Sequence, residues 1–188
     1  MSASSGMQAL ARPSTGKTGL VIVLMSESVL FLTLLGAYAA LRSQTDWQMS
    51  HTWARLFVPV LNTAILIASA IMATYAQRYA NTRSRAGVRV AQVITVTLGA
   101  AFLAGQIYEF AHSGMRIDDQ ALGGAFFALL GFHGLHVAAG LVVLGIGIMR
   151  PRFGEFSEAD ASAIQMGSLF WYYVTAVWLV LFVALYLV

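Results

Sequence analysis

The chain has 188 residues, of which 59% are hydrophobic and 10% charged, and its mean hydropathy is +0.73. A soluble domain is about 45–50% apolar and about 25% charged, so this composition excludes an ordinary water-soluble fold. The net charge is +3, but the eleven Lys and Arg are scattered over short segments, which argues against a nucleic-acid surface, and the absence of cysteine excludes disulfides and thiolate metal sites.

Five stretches are long and apolar enough to cross a bilayer, because about 20 apolar residues in a helix span about 30 Å of hydrocarbon. Lipid cannot hydrogen-bond an exposed backbone, so each stretch is predicted to be helical. The predicted fold is an all-α membrane bundle of five transmembrane helices, at about 18–41, 56–77, 90–112, 121–149 and 162–187. Residues 1–17 are predicted to be a disordered cytoplasmic N-terminus, and residues 18–188 to form one transmembrane domain.

The positive charges predict the orientation of the bundle. With the N-terminus inside, eight cations face the cytoplasm: Arg12, Lys17, Arg78, Arg83, Arg85, Arg89, Arg150 and Arg152. Only Arg42, Arg55 and Arg116 then face outward. This asymmetry of eight against three favours an N-terminus in and a C-terminus out, because Lys and Arg are enriched in cytoplasmic loops.

The first helix carries one charged residue in its interior, Glu27, which is the tenth residue of its span. A carboxylate near the centre of a bilayer costs about 2.5–3.5 kcal/mol on insertion scales, so Glu27 is predicted to face the bundle and not the lipid. Two interpretations stay open. Glu27 is either a hydrogen-bonded structural group or a group that handles protons or contacts a partner subunit.

The second and third helices carry fewer polar signals. Asn62 and Thr63 follow Pro59, and we expect them to hydrogen-bond to backbone carbonyls freed by the proline or to a neighbouring helix. Glu109 lies near the outer end of the third helix, where solvation at the membrane interface is the simplest interpretation and a proton-handling or polar contact is the alternative.

The fourth helix contains His133 and His136, whose spacing of three places both imidazoles on one face. Metal or heme ligation would use such a face, but the intramembrane carboxylates are too few for a di-iron bundle. A polar contact between helices is the better interpretation, with no metal or cofactor held by this chain. Gly131 and Gly134 are predicted to allow close helix packing.

Depth along the helices links two of these features. Glu27 lies about 13–15 Å from the inner end of the first helix, and the two histidines lie at nearly the same level of the antiparallel fourth helix. We therefore predict a hydrogen bond from Glu27 to one of them, with His136 favoured.

Taken together, the motifs resemble those of cytochrome c oxidase subunit III. The matching blocks, in chain order, are Met25–Phe31 with its Ser-Glu-x-x-x-Phe pattern, Leu61–Leu66, Gln106–Phe110, Gly124–Phe127 with Gly131–Val137, and Trp171–Trp178. The resemblance is to the five-helix bacterial form, which lacks the first two helices of seven-helix members. Tyr172 and Thr175 replace a His and an Asp of the family pattern, so the role of that pair does not carry over.

The resemblance implies a subunit without a redox centre, in a complex whose hemes and copper lie in partner subunits. The implied partners are subunit I together with subunit II, bound phospholipid, and a respiratory supercomplex. The implied role is to support the stability and proton uptake of the catalytic subunit, and Glu27, Glu109, His133 and His136 are the residues that match. The implied location is the bacterial inner membrane.

Three functions remain open from the sequence. The first is subunit III of a proton-pumping heme-copper terminal oxidase that takes electrons from cytochrome c or a quinol. The second is a related accessory protein of nitric oxide reductase. The third is a free-standing membrane transporter, although the chain shows no inverted repeat.

Overall fold

The computed structural model describes residues 15–44, 53–112, 120–149 and 158–187. Its regular elements are five α-helices followed by a short π-helical segment. The α-helices are α1 (Thr15–Arg42), α2 (Trp53–Asn81), α3 (Arg85–His112), α4 (Gln120–Met149) and α5 (Glu158–Phe182), and the π-helical segment is Val183–Leu187. All five helices are long and apolar enough to cross a membrane, which confirms the predicted all-α fold with five spans.

The helix ends differ slightly from the predicted ones. Helix α1 begins at Thr15, so the last residues of the segment predicted to be disordered are helical, and the rest of that prediction lies outside the described residues. The final helix is predicted to span about residues 162–187. In the structure it begins at Glu158 and continues beyond Phe182 as a π-helical segment to Leu187, in which Leu185 and Tyr186 are buried.

Contacts between side chains fix how the helices run. Glu27 of α1 meets His136 of α4, and Phe31, one turn further along α1, meets His133, one turn back along α4. Helices α1 and α4 are therefore antiparallel. Helices α1 and α5 are parallel, because the Lys17 ammonium donates to Gln165 at 2.7 Å in the N-terminal parts of both helices, while Ser28 lies opposite Tyr173 further along both.

Two buried tryptophans of α5 form the centre of the bundle. The Trp171 indole N–H donates to Ser69 of α2 at 2.9 Å, and its ring lies between the backbones of α3 and α4 at Gly99 and Gly140. A Cβ atom at Gly99 would lie 2.6 Å from the Trp171 ring, and one at Gly140 would lie 2.8 Å from it. These two glycines thus make the space that lets a full indole enter the core.

The close packing predicted at Gly131 and Gly134 is not found between the described helices. A Cβ atom at Gly131 would meet nothing within 4 Å, and one at Gly134 would meet only Leu103, at 4.0 Å. The glycine of α4 that packs against Trp171 is instead Gly140, more than one turn beyond both. The reason is that the bulky Trp171 reaches α4 at that level.

Helix α1 lies at the periphery of the bundle. Only 11% of its most apolar window is buried inside the chain, compared with 33–39% for the other four helices. Its buried seam consists of Leu24, Phe31 and Tyr38, spaced by seven residues. A seven-residue repeat of this kind is how a helix contacts its neighbours along a single narrow stripe.

Candidate functional site

The most distinctive polar contact of the bundle joins Glu27 of α1 to His136 of α4. His136 Nε2 lies 3.3 Å from Glu27 Oε2, and the two side chains are 16% and 34% exposed. This confirms the predicted pairing of Glu27 with His136. The contact places the carboxyl group against the bundle, as the cost of a charge in lipid requires.

The other nitrogen of His136 determines where the proton is. His136 Nδ1 lies 2.7 Å from the carbonyl oxygen of Phe132, one turn earlier on α4. A carbonyl oxygen can only accept, so Nδ1 carries a hydrogen and donates it. In a neutral imidazole Nε2 would then be a bare acceptor facing the carboxyl group.

A contact between two acceptors is repulsive, so one proton must lie between Glu27 and His136. Either the histidine is an imidazolium facing a carboxylate, or the carboxylic acid donates to a neutral histidine. Both arrangements have zero net charge, which lowers the cost of placing the pair inside a membrane. A pair that shares a proton in this way carries no net charge, as its position within a membrane-spanning bundle favours.

Neighbouring side chains hold the pair in place. The Phe31 ring contacts the His136 ring edge-on, with centroids 5.1 Å apart. Next to Glu27, the Ser28 hydroxyl donates to the Leu24 carbonyl at 2.8 Å and lies 3.4 Å from the Tyr173 hydroxyl of α5. The pair is therefore flanked by an aromatic ring and by a second polar contact, between α1 and α5. No pattern in the sequence predicted that Tyr173 would lie next to Glu27.

His133 has a different environment from His136. It is fully buried, and neither ring nitrogen has a hydrogen-bond partner among the described residues. Its ring stacks on Trp178 with centroids 5.2 Å apart, while Phe31 and Phe102 approach it edge-on. His133 thus makes no polar contact of the predicted kind with any described residue. Its imidazole instead points into a part of the core that is lined by aromatic rings.

Glu109, near the C-terminal end of α3, is the second acidic side chain that contacts another element. Its Oε1 accepts a hydrogen bond from the Tyr186 hydroxyl at 3.4 Å, and the Asn62 side chain lies within interaction range of the same carboxyl group. Glu109 is therefore bound between helices and is not merely solvated at the interface. Sequence reasoning missed Tyr186, which is 77 residues away and reaches Glu109 from the π-helical segment.

The polar residues of α2 take the contacts expected of them. The Asn62 amide donates to the Phe102 carbonyl of α3 at 3.4 Å, and Thr63 donates to the Pro59 carbonyl at 2.8 Å. Gly105 of α3 makes room for Asn62, since a Cβ atom there would overlap the amide. Thr63 also accepts the indole N–H of Trp178 at 3.0 Å, so it links α2 to α5.

Within the described ranges, no group of three or more His, Asp or Glu side chains comes together in the manner of a metal centre. Glu27 and Glu109 each contact a side chain of another element instead. These features define a small multi-pass membrane protein in which polar contacts between helices hold two acidic side chains.

Comparison with known proteins identifies the family. The chain belongs to the cytochrome c oxidase subunit III family, whose model matches residues 2–188. It is 35% identical to cytochrome c oxidase subunit 3 of Thermostichus vulcanus over 171 residues, which cover 90% of this chain and 85% of that protein. It is also 34% identical to the probable cytochrome c oxidase subunit 3 of Nocardia farcinica, over 97% of this chain and 92% of that protein. A third relative, cytochrome c oxidase subunit 3 of Corynebacterium diphtheriae, is 31% identical over the whole of this chain.

Proposed function

We propose that the chain is a subunit of a proton-pumping heme-copper terminal oxidase, with no redox centre of its own. In this role it binds subunit I together with subunit II in the bacterial inner membrane, with its N-terminus in the cytoplasm. It supports the stability and the proton uptake of the catalytic subunit. The electron donor of the complex is cytochrome c or a quinol.

The Glu27–His136 pair is the observation that carries the proposal. A carboxyl group and an imidazole that share one proton near mid-membrane can accept or release that proton only with a change in local charge. Helix α1 is the least buried of the five helices, and the Glu27 side chain on it is 34% exposed. The pair is therefore close to a surface that a partner subunit can contact. A role in the proton uptake of that partner therefore suits its position.

The exposure of α1 also supports assembly. Its outer face presents Ile22, Val29 and, between them, the small residue Ser26, whose hydroxyl donates to its own backbone at the Ile22 carbonyl. Membrane helices associate through faces on which small residues let backbones approach. A subunit held in a larger complex needs such a surface, whereas a transporter working alone would bury its pathway inside the bundle.

Purification from the native membrane tests the proposal. A tag on this chain should recover a partner that shows a heme spectrum and contains copper, and the recovered complex should reduce oxygen. Recovery of a complex that reduces nitric oxide instead would favour the accessory protein of nitric oxide reductase. Recovery of the chain without any heme protein would contradict both.

Turnover experiments test the role of the pair. Glu27→Gln should leave the complex assembled and able to start turnover, but its activity should decline faster during prolonged turnover than that of the wild type. Ser26→Ala is the matched control. Ser26 is adjacent to Glu27 in the chain, but its hydroxyl donates only to the Ile22 carbonyl of the same helix. Equal decline of Glu27→Gln, Ser26→Ala and the wild type would remove the proposed role of Glu27.

A further inference from the structure

Two neighbouring polar side chains of α3 have buried atoms without hydrogen-bond partners among the described residues. Gln106 is 4% exposed, and this holds for both its amide oxygen and its amide nitrogen. Glu109 is half-buried, and its Oε2 atom is in the same position. Residues three apart share a helix face, so these atoms lie close together near the C-terminal end of α3. Buried polar groups are almost always hydrogen-bonded, so the two side chains indicate a site at which a proton is held.

The other carboxyl oxygen of Glu109 already has a donor. The Tyr186 hydroxyl donates to Oε1 at 3.4 Å, and the Asn62 amide of α2 lies within interaction range. Two arrangements would pair the remaining atoms. A carboxylate would accept from the Gln106 amide nitrogen, whereas a neutral carboxylic acid would donate from Oε2 to the Gln106 amide oxygen.

The position of Glu109 favours the neutral acid. It lies in a helix long and apolar enough to span a membrane, where a charged carboxylate is costly. The Tyr186 hydroxyl and the Asn62 amide that reach it are uncharged groups. Glu109 also lies in the last turn of α3, where free backbone carbonyls give the helix end a partial negative charge that disfavours an anion.

Other titratable or charged side chains at this end of the bundle have contacts of their own. On α1, the Arg42 guanidinium donates to the Tyr38 hydroxyl at 3.2 Å, and Tyr38 lies within electrostatic range of Tyr186. On α3, the Nδ1 atom of the exposed His112 lies 2.8 Å from a backbone carbonyl oxygen of the same helix. Helix α4 contributes the apolar ring of Phe127. Tyr186 is thus the titratable side chain that bonds to Glu109 among the described residues.

We infer that Glu109 is a further proton-binding site of the bundle, a neutral acid whose Oε2 proton is accepted by the Gln106 amide oxygen. Because Glu109 is half-buried and lies three residues from the end of α3, this proton exchanges with the surface at that end. The inference uses only contacts within this chain, so it does not depend on the proposed oxidase function.

Aromatic rings separate this site from the Glu27–His136 pair. His133, one turn from His136 on α4, contacts the Phe102 ring edge-on, with centroids 6.1 Å apart. Glu109 lies seven residues beyond Phe102, or about 10 Å further along α3. The two sites should therefore hold their protons independently.

Infrared spectroscopy of the purified full-length chain at neutral pH tests the site, because a protonated carboxyl group has its own carbonyl stretching band. Glu109→Gln should remove a band component that Glu27→Gln leaves unchanged, and that component should shift in D2O. Labelling glutamate with 13C in the Glu27→Gln variant makes the assignment without replacing Glu109. The remaining glutamates, Glu155 and Glu158, precede the apolar span of α5.

Two further substitutions test the partners of the acid. Gln106→Leu removes the acceptor of the O–H group and Tyr186→Phe removes the donor to Oε1, so each should move the band to higher frequency. Gln92→Leu is the matched control. Gln92 is also a buried glutamine of α3 with an unpartnered amide oxygen, but it lies about 21 Å from Gln106, so the band should not move.

Three results would overturn the inference. The first is the absence of a protonated glutamate from the Glu27→Gln variant, which would show that Glu109 is a carboxylate. The second is a band that does not move in Gln106→Leu, which would show that Gln106 is not the acceptor. The third is a band that does not shift in D2O, which would show that the proton does not exchange with the surface.

Discussion

Replacing Glu27 by leucine should change the free energy of unfolding in opposite directions with and without His136 as its partner. In the wild type, Glu27→Leu leaves His136 Nε2 without a partner, while Nδ1 keeps its bond to Phe132. A hydrogen bond between membrane helices contributes about 0.6–1.7 kcal/mol. We therefore expect Glu27→Leu to lower the free energy of unfolding by about 1 kcal/mol.

The same substitution should be stabilising once the histidine is gone. His136→Leu keeps an apolar side chain against Phe31 but leaves the Glu27 carboxyl group without a partner near mid-membrane. An unpaired acidic group there costs about 2.5–3.5 kcal/mol when charged, and less when it takes up a proton. In the His136→Leu background, Glu27→Leu should therefore raise the free energy of unfolding by about 1–3 kcal/mol.

Unfolding of the purified chain by SDS in bicelles measures all four members of this cycle. Thr33→Leu is the matched control, since Thr33 is exposed on the same helix and its hydroxyl bonds only to the Val29 carbonyl. Its effect should be the same with and without His136. Additive effects of Glu27→Leu and His136→Leu, within about 0.5 kcal/mol, would refute the shared-proton pair, because groups that do not interact behave additively.

Three further predictions follow from other parts of the chain. Gly99→Ala should destabilise the bundle by about 1–3 kcal/mol in the same unfolding assay, because its Cβ atom would overlap Trp171, whereas Gly145→Ala meets nothing and should be neutral or slightly stabilising. The chain lacks cysteine, so single cysteines introduced at Ser43 and Thr82 can report its orientation. An impermeant maleimide added to intact cells should label position 43 and not position 82. The reverse pattern would overturn the N-in orientation. Metal analysis and absorption spectroscopy of the isolated chain should show neither heme nor a stoichiometric metal, and one bound metal per chain would contradict the absence of a redox centre.

The number of helices and the positions of polar groups along them were predictable from the sequence alone. Both follow from the bilayer, since a fixed hydrocarbon thickness and a fixed rise per residue convert sequence position into depth. Glu27 and His136 could be placed at one level on this basis before any contact was known. The contacts of Asn62 and Thr63 were also predictable in kind, because buried polar groups in a membrane must find partners.

Which side chain at a given depth meets which neighbour could not be predicted, because it depends on how the five helices pack together. His133 and His136 share a helix face and nearly a level, yet one stacks on Trp178 and the other binds Glu27. Likewise, the glycines that make room for Trp171 are Gly99 and Gly140, whereas a Cβ atom at the predicted Gly131 would meet nothing within 4 Å. The rotation of each helix about its own axis depends on the bulky side chains of all its neighbours together. The Trp171 indole of α5 has the largest part in this, because it packs against both α3 and α4. Sequence spacing fixes depth along an axis, whereas rotation about that axis depends on packing against residues far away in the chain.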